Sequence, residues 1–223
     1  MRGICRGGLL SAFLLLGPAR AEIMLDAART RPGPGCRTPQ AAAEGALRFD
    51  LPFADGSERA YWDFPLKGLP DEALSLEVEI DLPDPAIVRA VSLHLGRGEA
   101  WMSLEQVPGT AKRQRLVFAR AGFRPEGSGP EFWRDANRLR LSFWRGANRS
   151  GEAMVRALRA ERPPVLVIRG TERTAPGETE LARRCAQRAQ ALCVRAGLCS
   201  TVATDELPEL DLRGIRLLVL PYN

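Results

Sequence analysis

The sequence predicts a mainly β protein: an antiparallel β-sandwich followed by a short segment that begins an α/β domain. Two observations indicate the sandwich. Apolar and polar residues alternate strictly over 74–80, and short apolar runs are separated by Gly and Pro turns. A third observation indicates the α/β segment, because a continuous apolar run at 165–168 follows Pro163 and Pro164, as in a strand buried on both faces of a parallel sheet.

Residues 1–21 have the pattern of a secretory signal peptide. Arg2 and Arg6 precede the apolar run 9–16, and a helix-breaking Gly-Pro leads to an Ala-x-Ala site that ends at Ala21. The run is shorter than the roughly 20 residues that span a bilayer, so we predict no integral membrane segment after cleavage. A secreted or periplasmic protein is therefore expected. The alternatives are an uncleaved anchor or a misplaced start codon.

The charge of the chain argues against a nucleic-acid partner once the signal peptide is removed. The net charge is +5, and residues 1–21 contribute three arginines and no acid, which leaves +2. The other arginines are scattered among acidic residues along the sequence, and only Lys67 and Lys112 are lysines. This composition is more typical of arginine-rich codon usage than of a phosphate-binding surface, so we predict no nucleic-acid partner.

The first folded domain is predicted at 46–162, after an extended linker at 22–45. The linker prediction depends on a Pro- and Gly-rich stretch without periodicity. About eight strands in a domain of this length suit a two-sheet antiparallel sandwich. The predicted strands are 46–50, 59–64, 73–81, 88–96, 101–106, 114–119, 138–143 and 154–160.

Residues 163–223 are predicted to begin a doubly wound α/β domain. Its strands are predicted at 165–168, 199–203 and 215–221, with a helix at 178–196 between the first two. The predicted buried face of the helix consists of Leu181, Cys185, Ala189 and Leu192. One helix covers only one face of a parallel sheet, so we expect the chain to be part of a longer protein. The alternative is a short protein whose last strands cap the sandwich.

Four cysteines remain after the signal peptide and permit three full disulfide pairings. Cys193 and Cys199 bracket a short turn and would close a small loop. Cys185 and Cys193 are two helical turns apart, about 12 Å, which is too far for a disulfide. The fourth is Cys36.

No cofactor is predicted from the sequence. There is no CxxC pair for zinc, and His94 is the single histidine. Asp84 and Asp135 lie in turn-like settings and are candidates for structural calcium, but no DxDxDG loop supports them.

Trp101 is the main candidate for a ligand-binding residue. An aromatic ring can stack on the apolar C–H face of a pyranose while polar neighbours bind its hydroxyl groups. Arg97 and Glu99 precede it in a turn and supply a charged donor and acceptor, and Arg145 ends an alternating strand where it reaches the sheet edge. A core position for Trp101 and a solvated Arg145 are the alternatives. The tryptophans predicted to lie in the core are Trp62, Trp133 and Trp144.

Several stretches resemble known extracellular modules. WDFPL (62–66), LHLGRGEAW (93–101), FRPEG (123–127) and FWRDANRLRLSFW (132–144) resemble the galactose-binding-like, jelly-roll β-sandwich modules of bacterial extracellular glycoside hydrolases. Residues 164–223, especially LLVLPYN at the end, resemble the opening of the flavodoxin-like, class I glutamine-amidotransferase-like domain that accompanies some β-galactosidase barrels. This resemblance implies a non-catalytic carbohydrate-binding or scaffolding part of a secreted multidomain protein.

Two other functions remain open at the level of sequence. The chain would be an accessory part of an enzyme, such as a glycoside hydrolase, if catalytic residues follow residue 223. It would alternatively be a structural module for cell-surface or subunit contacts. The sequence itself shows no catalytic constellation: Glu77, Glu79 and Asp81 alternate as on the solvent face of a sheet, and His94 has no recognisable partner.

Overall fold

The computed structural model describes residues 20–70, 73–127, 132–170, 177–196, 198, 200–204, 212 and 215–221. Residues 1–19 of the predicted signal peptide and Cys199 lie outside these residues. Arg20 and Ala21, which the prediction assigns to the cleaved segment, pair with Glu161 and Ala160 in a sheet. Within them the protein is mainly β, with two antiparallel sheets, a small parallel sheet and one α-helix. The described part of the chain contains no helix that is both long and apolar enough to cross a membrane.

The described strands form three sheets. Sheet A contains β1 (Arg20–Glu22), β3 (Gln40–Ala41), β4 (Leu47–Leu51), β6 (Ser75–Asp81), β9 (Arg113–Ala119) and β12 (Gly151–Glu161). Sheet B contains β2 (Arg31–Pro32), β5 (Arg59–Pro65), β7 (Val88–Arg97), β8 (Ala100–Gln106), β10 (Arg124–Pro125) and β11 (Arg138–Arg145). Sheet C contains β13 (Val165–Arg169), β14 (Ser200–Thr204) and β15 (Leu217–Val219), and helix α1 (Glu178–Arg195) connects β13 to β14.

Sheets A and B enclose one apolar core. The strand order is β3-β4-β12-β6-β9 in sheet A, where β1 also pairs with β12, and β10-β8-β7-β11-β5-β2 in sheet B. Phe49 of sheet A contacts Trp62, Phe64 and Phe143 of sheet B, with ring centroids 4.9, 6.3 and 6.1 Å away. These edge-on and tilted contacts join the two inner faces.

All eight strands predicted between 46 and 162 are present, and their ends differ from the prediction by at most three residues. The core positions of Trp62 and Trp133 are also confirmed. Residues 22–45 differ from the predicted linker, because β2 pairs with β5 and β3 pairs with β4. Free backbone groups at the edges of both sheets account for this pairing, and an edge strand tolerates Pro32.

The C-terminal segment has the predicted order of strand, helix, strand and strand. β13 lies between β14 and β15, and all pairing in sheet C is parallel. The predicted helix face is wrong: Ala182 and Ala186 are buried, whereas Leu181 and Leu192 are exposed. Small alanines let α1 approach β13 and β14 closely, and this rotates the helix by about one residue, roughly 100°.

The third strand of this segment and the cysteines also differ from, or lie partly outside, what the sequence predicts. The third strand, predicted at 215–221, spans only Leu217–Val219, and Leu217 and Leu218 are 45% and 41% exposed, so the described strand lies at the edge of sheet C. Cys36, Cys185 and Cys193 are free thiols. The loop that Cys193 and Cys199 would close involves a residue outside the described part of the chain.

Candidate functional site

The outward face of sheet B carries a row of polar side chains that crosses all six strands. Arg31 on β2 is paired with Asp63 on β5, and Asp63 is paired with Arg140 on β11. Because neighbouring residues of a strand point to opposite faces, this row lies opposite the buried Trp62 and Leu139. In spatial order the row is Arg31, Asp63, Arg140, His94, Ser103 and Arg124.

Arg140 is the central side chain of this face. Its Nε lies 2.6 Å from Asp63 Oδ1 and its Nη2 lies 2.9 Å from Asp63 Oδ2, which is a bidentate ion pair. This hydrogen bonding raises the pKa of Arg140 above its usual range, although partial burial opposes the rise. The fixed guanidinium lies 4.3 Å from the ring centroid of Tyr61 and 4.5 Å from that of Trp101.

Further arginines extend the same arrangement across the face. Arg59 lies between Tyr61 and Trp144, at 4.8 and 5.1 Å from their ring centroids. We call the resulting series the Arg–aromatic ladder. Its members are, in spatial order, Arg138, Trp101, Arg140, Tyr61, Arg59, Trp144 and Arg89. The six successive distances between a guanidinium carbon and the neighbouring ring centroid are 4.7, 4.5, 4.3, 4.8, 5.1 and 5.7 Å.

The ladder is strongly cationic. Arg140 is neutralised by Asp63, but Arg59, Arg89 and Arg138 form no ion pair with any described residue. Each guanidinium over a ring is held by about 0.5–1 kcal/mol when the contact is exposed to solvent. The contacts therefore order the arginines without neutralising them, and their N–H groups remain available to a ligand.

A partly buried chain of hydrogen bonds connects Trp144 of the ladder to Glu126. The indole Nε1 of Trp144 donates to Ser92 Oγ at 2.9 Å, and that hydroxyl lies 3.0 Å from Nε2 of His94. Nδ1 of His94 lies 2.6 Å from Glu126 Oε1. When His94 carries its proton on Nδ1, each donor in the chain meets one acceptor, so the network holds Trp144 in a single position.

The protonation states of this chain follow from burial and neighbouring charge. Burial lowers the pKa of His94 below its ordinary value, despite the opposing hydrogen bond to Glu126, and the charges of Arg59 and Arg140 lower it further. Partial burial tends to raise the pKa of Glu126, but hydrogen bonds from Ser103 and His94 outweigh it and hold this pKa below the usual range. At neutral pH a neutral imidazole therefore donates to a carboxylate.

Ser92, His94 and Glu126 are connected in the order of a Ser-His-acid triad. A nucleophilic serine must, however, reach a substrate carbonyl beside donors for its oxyanion. Ser92 is only 2% exposed, and its Oγ already accepts the hydrogen bond from Trp144. The network is therefore a support for the ladder and not a hydrolytic centre.

Trp101, the main ligand-binding candidate from the sequence, lies on the outward face of sheet B. Its side chain is half-buried and is not part of the core. It pairs with Gly96 on β7. A Cβ atom at residue 96 would lie 2.9 Å from Cζ3 of the Trp101 ring, so only glycine lets the indole rest against the β7 backbone. His94 contacts the same indole edge-on, with ring centroids 6.4 Å apart.

Arg97 and Glu99 are not brought together with Trp101 as a polar pair. Arg97 pairs with Ala100 in the hairpin and so points to the opposite side of the sheet from Trp101. Its Nη1 lies 3.1 Å from Asp135 Oδ2, and its guanidinium lies 5.3 Å from the Phe132 ring centroid. Glu99 is exposed in the turn.

Arg145 lies beyond a β-bulge at the end of β11. It forms an ion pair with Glu58 and a hydrogen bond to Asn148 Oδ1 at 3.3 Å, at the end of the sandwich and not within the ladder.

Both calcium candidates form ion pairs with arginines: Asp84 pairs with Arg149, and Asp135 pairs with Arg97. Within the described ranges, no three His, Cys, Asp or Glu side chains form a group that could hold a metal ion.

The sequence patterns do not predict most of the ladder. Trp144 was expected in the core, but the inward positions of β11 are taken by Leu139, Leu141 and Phe143, which places Trp144 outward. Counting this alternation through the strand would have placed Arg138, Arg140 and Trp144 on one face. Residues scattered in sequence become neighbours because antiparallel pairing aligns four separate strands, β5, β7, β8 and β11.

The outward face of sheet A has a different character. Glu79 receives hydrogen bonds from Arg113, and Arg159 lies 3.4 Å from its Oε2. The bond from Arg113 lowers the pKa of Glu79, although burial opposes the effect. Glu77 is 2% exposed and pairs with Arg115, which differs from the expected solvent position. Because arginines hold its carboxylate ionised, Glu79 does not supply the general acid of a glycosidase.

Comparison with known proteins identifies neighbours among solved structures. No protein-family model and no curated protein matches this chain. A family 11 carbohydrate-binding module from Clostridium thermocellum, in complex with a β-1,3-1,4-mixed-linked tetrasaccharide, is 14% identical, with 58% of this chain and 85% of that chain covered and a TM-score of 0.42. A mutant family 29 carbohydrate-binding module is 11% identical, with 65% and 92% covered and a TM-score of 0.40.

An exo-β-agarase is also similar to this chain. It is 10% identical, with 65% of this chain and 25% of that chain covered and a TM-score of 0.42. The similar solved structures thus include carbohydrate-binding modules and a glycoside hydrolase chain. These identities and TM-scores show no role for any residue of the ladder.

Proposed function

We propose that the outward face of sheet B is a non-catalytic carbohydrate-binding surface. The observation that carries this proposal is the Arg–aromatic ladder, in which the half-buried rings of Tyr61, Trp101 and Trp144 alternate with guanidinium groups. Sugar rings have apolar C–H faces and edges that pack on aromatic side chains, and their hydroxyl groups bond to charged donors. The ladder offers both within one surface.

Acceptors lie among these donors and support a polyhydroxylated ligand. Asp63 pairs with Arg140 on the face, and Glu126 is a carboxylate whose side chain is 45% exposed. A sugar hydroxyl both donates and accepts a hydrogen bond, so it needs carboxylates as well as guanidinium groups nearby. The position of the ladder on a paired sheet limits the entropy lost on binding.

A binding role, and not hydrolysis, is favoured by the charge states of the carboxyl groups. Glycosidases keep one carboxyl protonated through a raised pKa. The pKa of Glu126 on sheet B and that of Glu79 on sheet A are both lowered. Neither group is suited to protonate a leaving group at neutral pH.

The remaining parts of the chain fit a role beside other domains. The parallel order β14-β13-β15 is that of the first three strands of a doubly wound sheet, and it supports a flavodoxin-like beginning for 163–223. The signal pattern in 1–21 supports secretion or a periplasmic location. We therefore propose a binding or scaffolding part of a secreted protein of carbohydrate metabolism.

Affinity electrophoresis of the protein through gels containing neutral and acidic polysaccharides tests the proposal. We expect at least one polysaccharide to retard the protein, and Tyr61→Ala and Trp144→Ala to abolish the retardation. Arg113→Ala, on the outward face of sheet A, serves as the control and should migrate like the unaltered protein. The proposal fails if no polysaccharide retards the protein, or if both aromatic variants are retarded normally while circular dichroism shows them folded.

A further inference from the structure

We infer that the carbohydrate is anionic and that one of its carboxylate or sulfate groups binds in a groove at the Arg138 end of the ladder. This inference rests on the proposed function and adds the chemical class of the ligand. The groove has a volume of about 500 Å³. Its lining includes Arg29, Arg31, Arg138, Asp63, Thr30 and Asn137.

The charge of the groove is what selects an anion. Arg29, Arg31 and Arg138 form no ion pair with any residue in the described ranges. Among the described residues of the groove lining, Asp63 is the one carboxylate, and both of its oxygens are bound by Arg140. Three arginines therefore face a shared space without a counter-charge. Guanidinium groups in this situation bind carboxylate or sulfate oxygens through paired N–H donors.

The groove is continuous with the ladder. Arg31 is opposite Asp63 on β5, and Arg138 is opposite Pro65, two residues further along the same strand. Arg138 also lies 4.7 Å from the ring centroid of Trp101 and so belongs to both surfaces. One sugar chain can place an anionic substituent in the groove while a neighbouring residue lies along the aromatic rings.

The acceptors on this face favour a polysaccharide over a nucleic acid. A phosphodiester backbone presents acceptors and negative charge, so the exposed carboxylate of Glu126 would repel it. Sugar hydroxyl groups instead donate to such carboxylates. Thr30 and Asn137 in the groove lining add neutral hydrogen-bonding groups. A glycan that carries both hydroxyl groups and a separate anion matches this mixture.

Calorimetric titration with matched probes tests the inference. The probes are polygalacturonate and its carboxyl-reduced form, dextran sulfate and dextran, and a single-stranded DNA oligonucleotide. We expect the acidic member of at least one pair to bind at least tenfold more tightly than its neutral counterpart. A tenfold difference in affinity corresponds to about one charge-assisted hydrogen bond. The affinity should fall as salt is raised. Preference for polygalacturonate or for dextran sulfate identifies the anion as carboxylate or sulfate.

Variants locate the anion. Arg29→Gln and Arg31→Gln should each weaken the acidic probe by about tenfold without changing the affinity for a neutral glycan. Arg138→Gln should weaken both, because Arg138 also contacts Trp101. Arg113→Gln is the charge-matched control on sheet A and should leave binding unchanged.

The possible failures are distinguishable. Equal affinity for the charged and neutral members of both pairs overturns the anionic specificity and leaves carbohydrate binding intact. Unchanged affinity in both Arg29→Gln and Arg31→Gln overturns the assignment of the groove. Tighter binding of the DNA oligonucleotide than of either acidic polysaccharide overturns the inference in favour of a nucleic-acid ligand. Failure to bind any polysaccharide defeats the proposed function itself.

Discussion

Asp63 holds Arg140 through two parallel contacts of 2.6 and 2.9 Å, and this pair fixes the centre of the ladder. The guanidinium lies between the rings of Tyr61 and Trp101, at 4.3 and 4.5 Å from their centroids. A guanidinium that lost its carboxylate would be free to rotate, and both rings would lose a fixed neighbour. The ion pair therefore acts on ligand binding through the position of Arg140.

Asp63→Asn should lower both stability and glycan affinity. The side chains of Asp63 and Arg140 are 19% and 20% exposed, so removal of one partner leaves a poorly solvated charge. We expect a loss of about 2 kcal/mol in the free energy of unfolding, measured by urea denaturation. Asp135→Asn breaks the exposed pair with Arg97 and should cost less than about 1 kcal/mol. Equal losses in the two variants would contradict the role assigned to Asp63.

His94 should make the protein less stable as the solution becomes mildly acidic. Its pKa in the folded protein is lowered, mainly by burial, whereas in the unfolded chain it is about 6.5. Between those two values the unfolded chain binds more protons, so stability increases with pH there. The contribution of His94 is fully present above pH of about 6.5 and is lost as the pH falls through its folded value.

The single histidine makes this prediction simple to measure. The imidazole C–H resonance in NMR should titrate with a midpoint below about 6.5 in the folded protein. Urea midpoints measured between pH 8 and pH 5 should fall in unaltered protein and remain flatter in His94→Gln. Glu126 acts in a separate window, because its lowered pKa withdraws stability only below its ordinary value of 4.5. A folded midpoint at or above that of a denatured sample would rule out this account.

Gly96→Ala should displace the indole of Trp101. The added methyl group would lie 2.9 Å from ring atom Cζ3, and the end of the indole can move away. We expect a shift in tryptophan fluorescence, weaker glycan binding and a stability loss of about 1 kcal/mol. Gly109→Ala is the control, since its nearest contact would be Gln114 Oε1 at 3.6 Å. Normal glycan affinity in Gly96→Ala would remove Trp101 from the binding surface.

The sandwich strands were predictable because alternation is a local signal, and 74–80 or 139–143 show it directly. The ladder was not, since it depends on which strands become neighbours. Arg59, Arg89 and Arg138 are far apart in sequence, and only the pairing of β5 and β7 with β11 brings them to one face. Trp101 could be proposed from sequence because a tryptophan beside a charged turn is a local signal, and its role as a ligand contact stays a prediction. Arg97 was expected beside Trp101, but it pairs with Ala100, the residue before Trp101. Neighbouring residues of a strand point to opposite faces of the sheet, so Arg97 and Trp101 are separated.

A chain shortened to begin at Ala46 should be less stable than one that begins at Glu22. The shortening removes β2 and β3, and it also removes the backbone carbonyl of Arg37, which accepts a hydrogen bond from the buried Trp62 indole at 2.7 Å. An unpaired buried indole N–H alone costs about 1–3 kcal/mol. Urea denaturation followed by tryptophan fluorescence measures the difference. Equal midpoints for the two chains would mean that 22–45 behaves as the linker its composition predicted, and that Arg31 is not held at the groove by strand pairing.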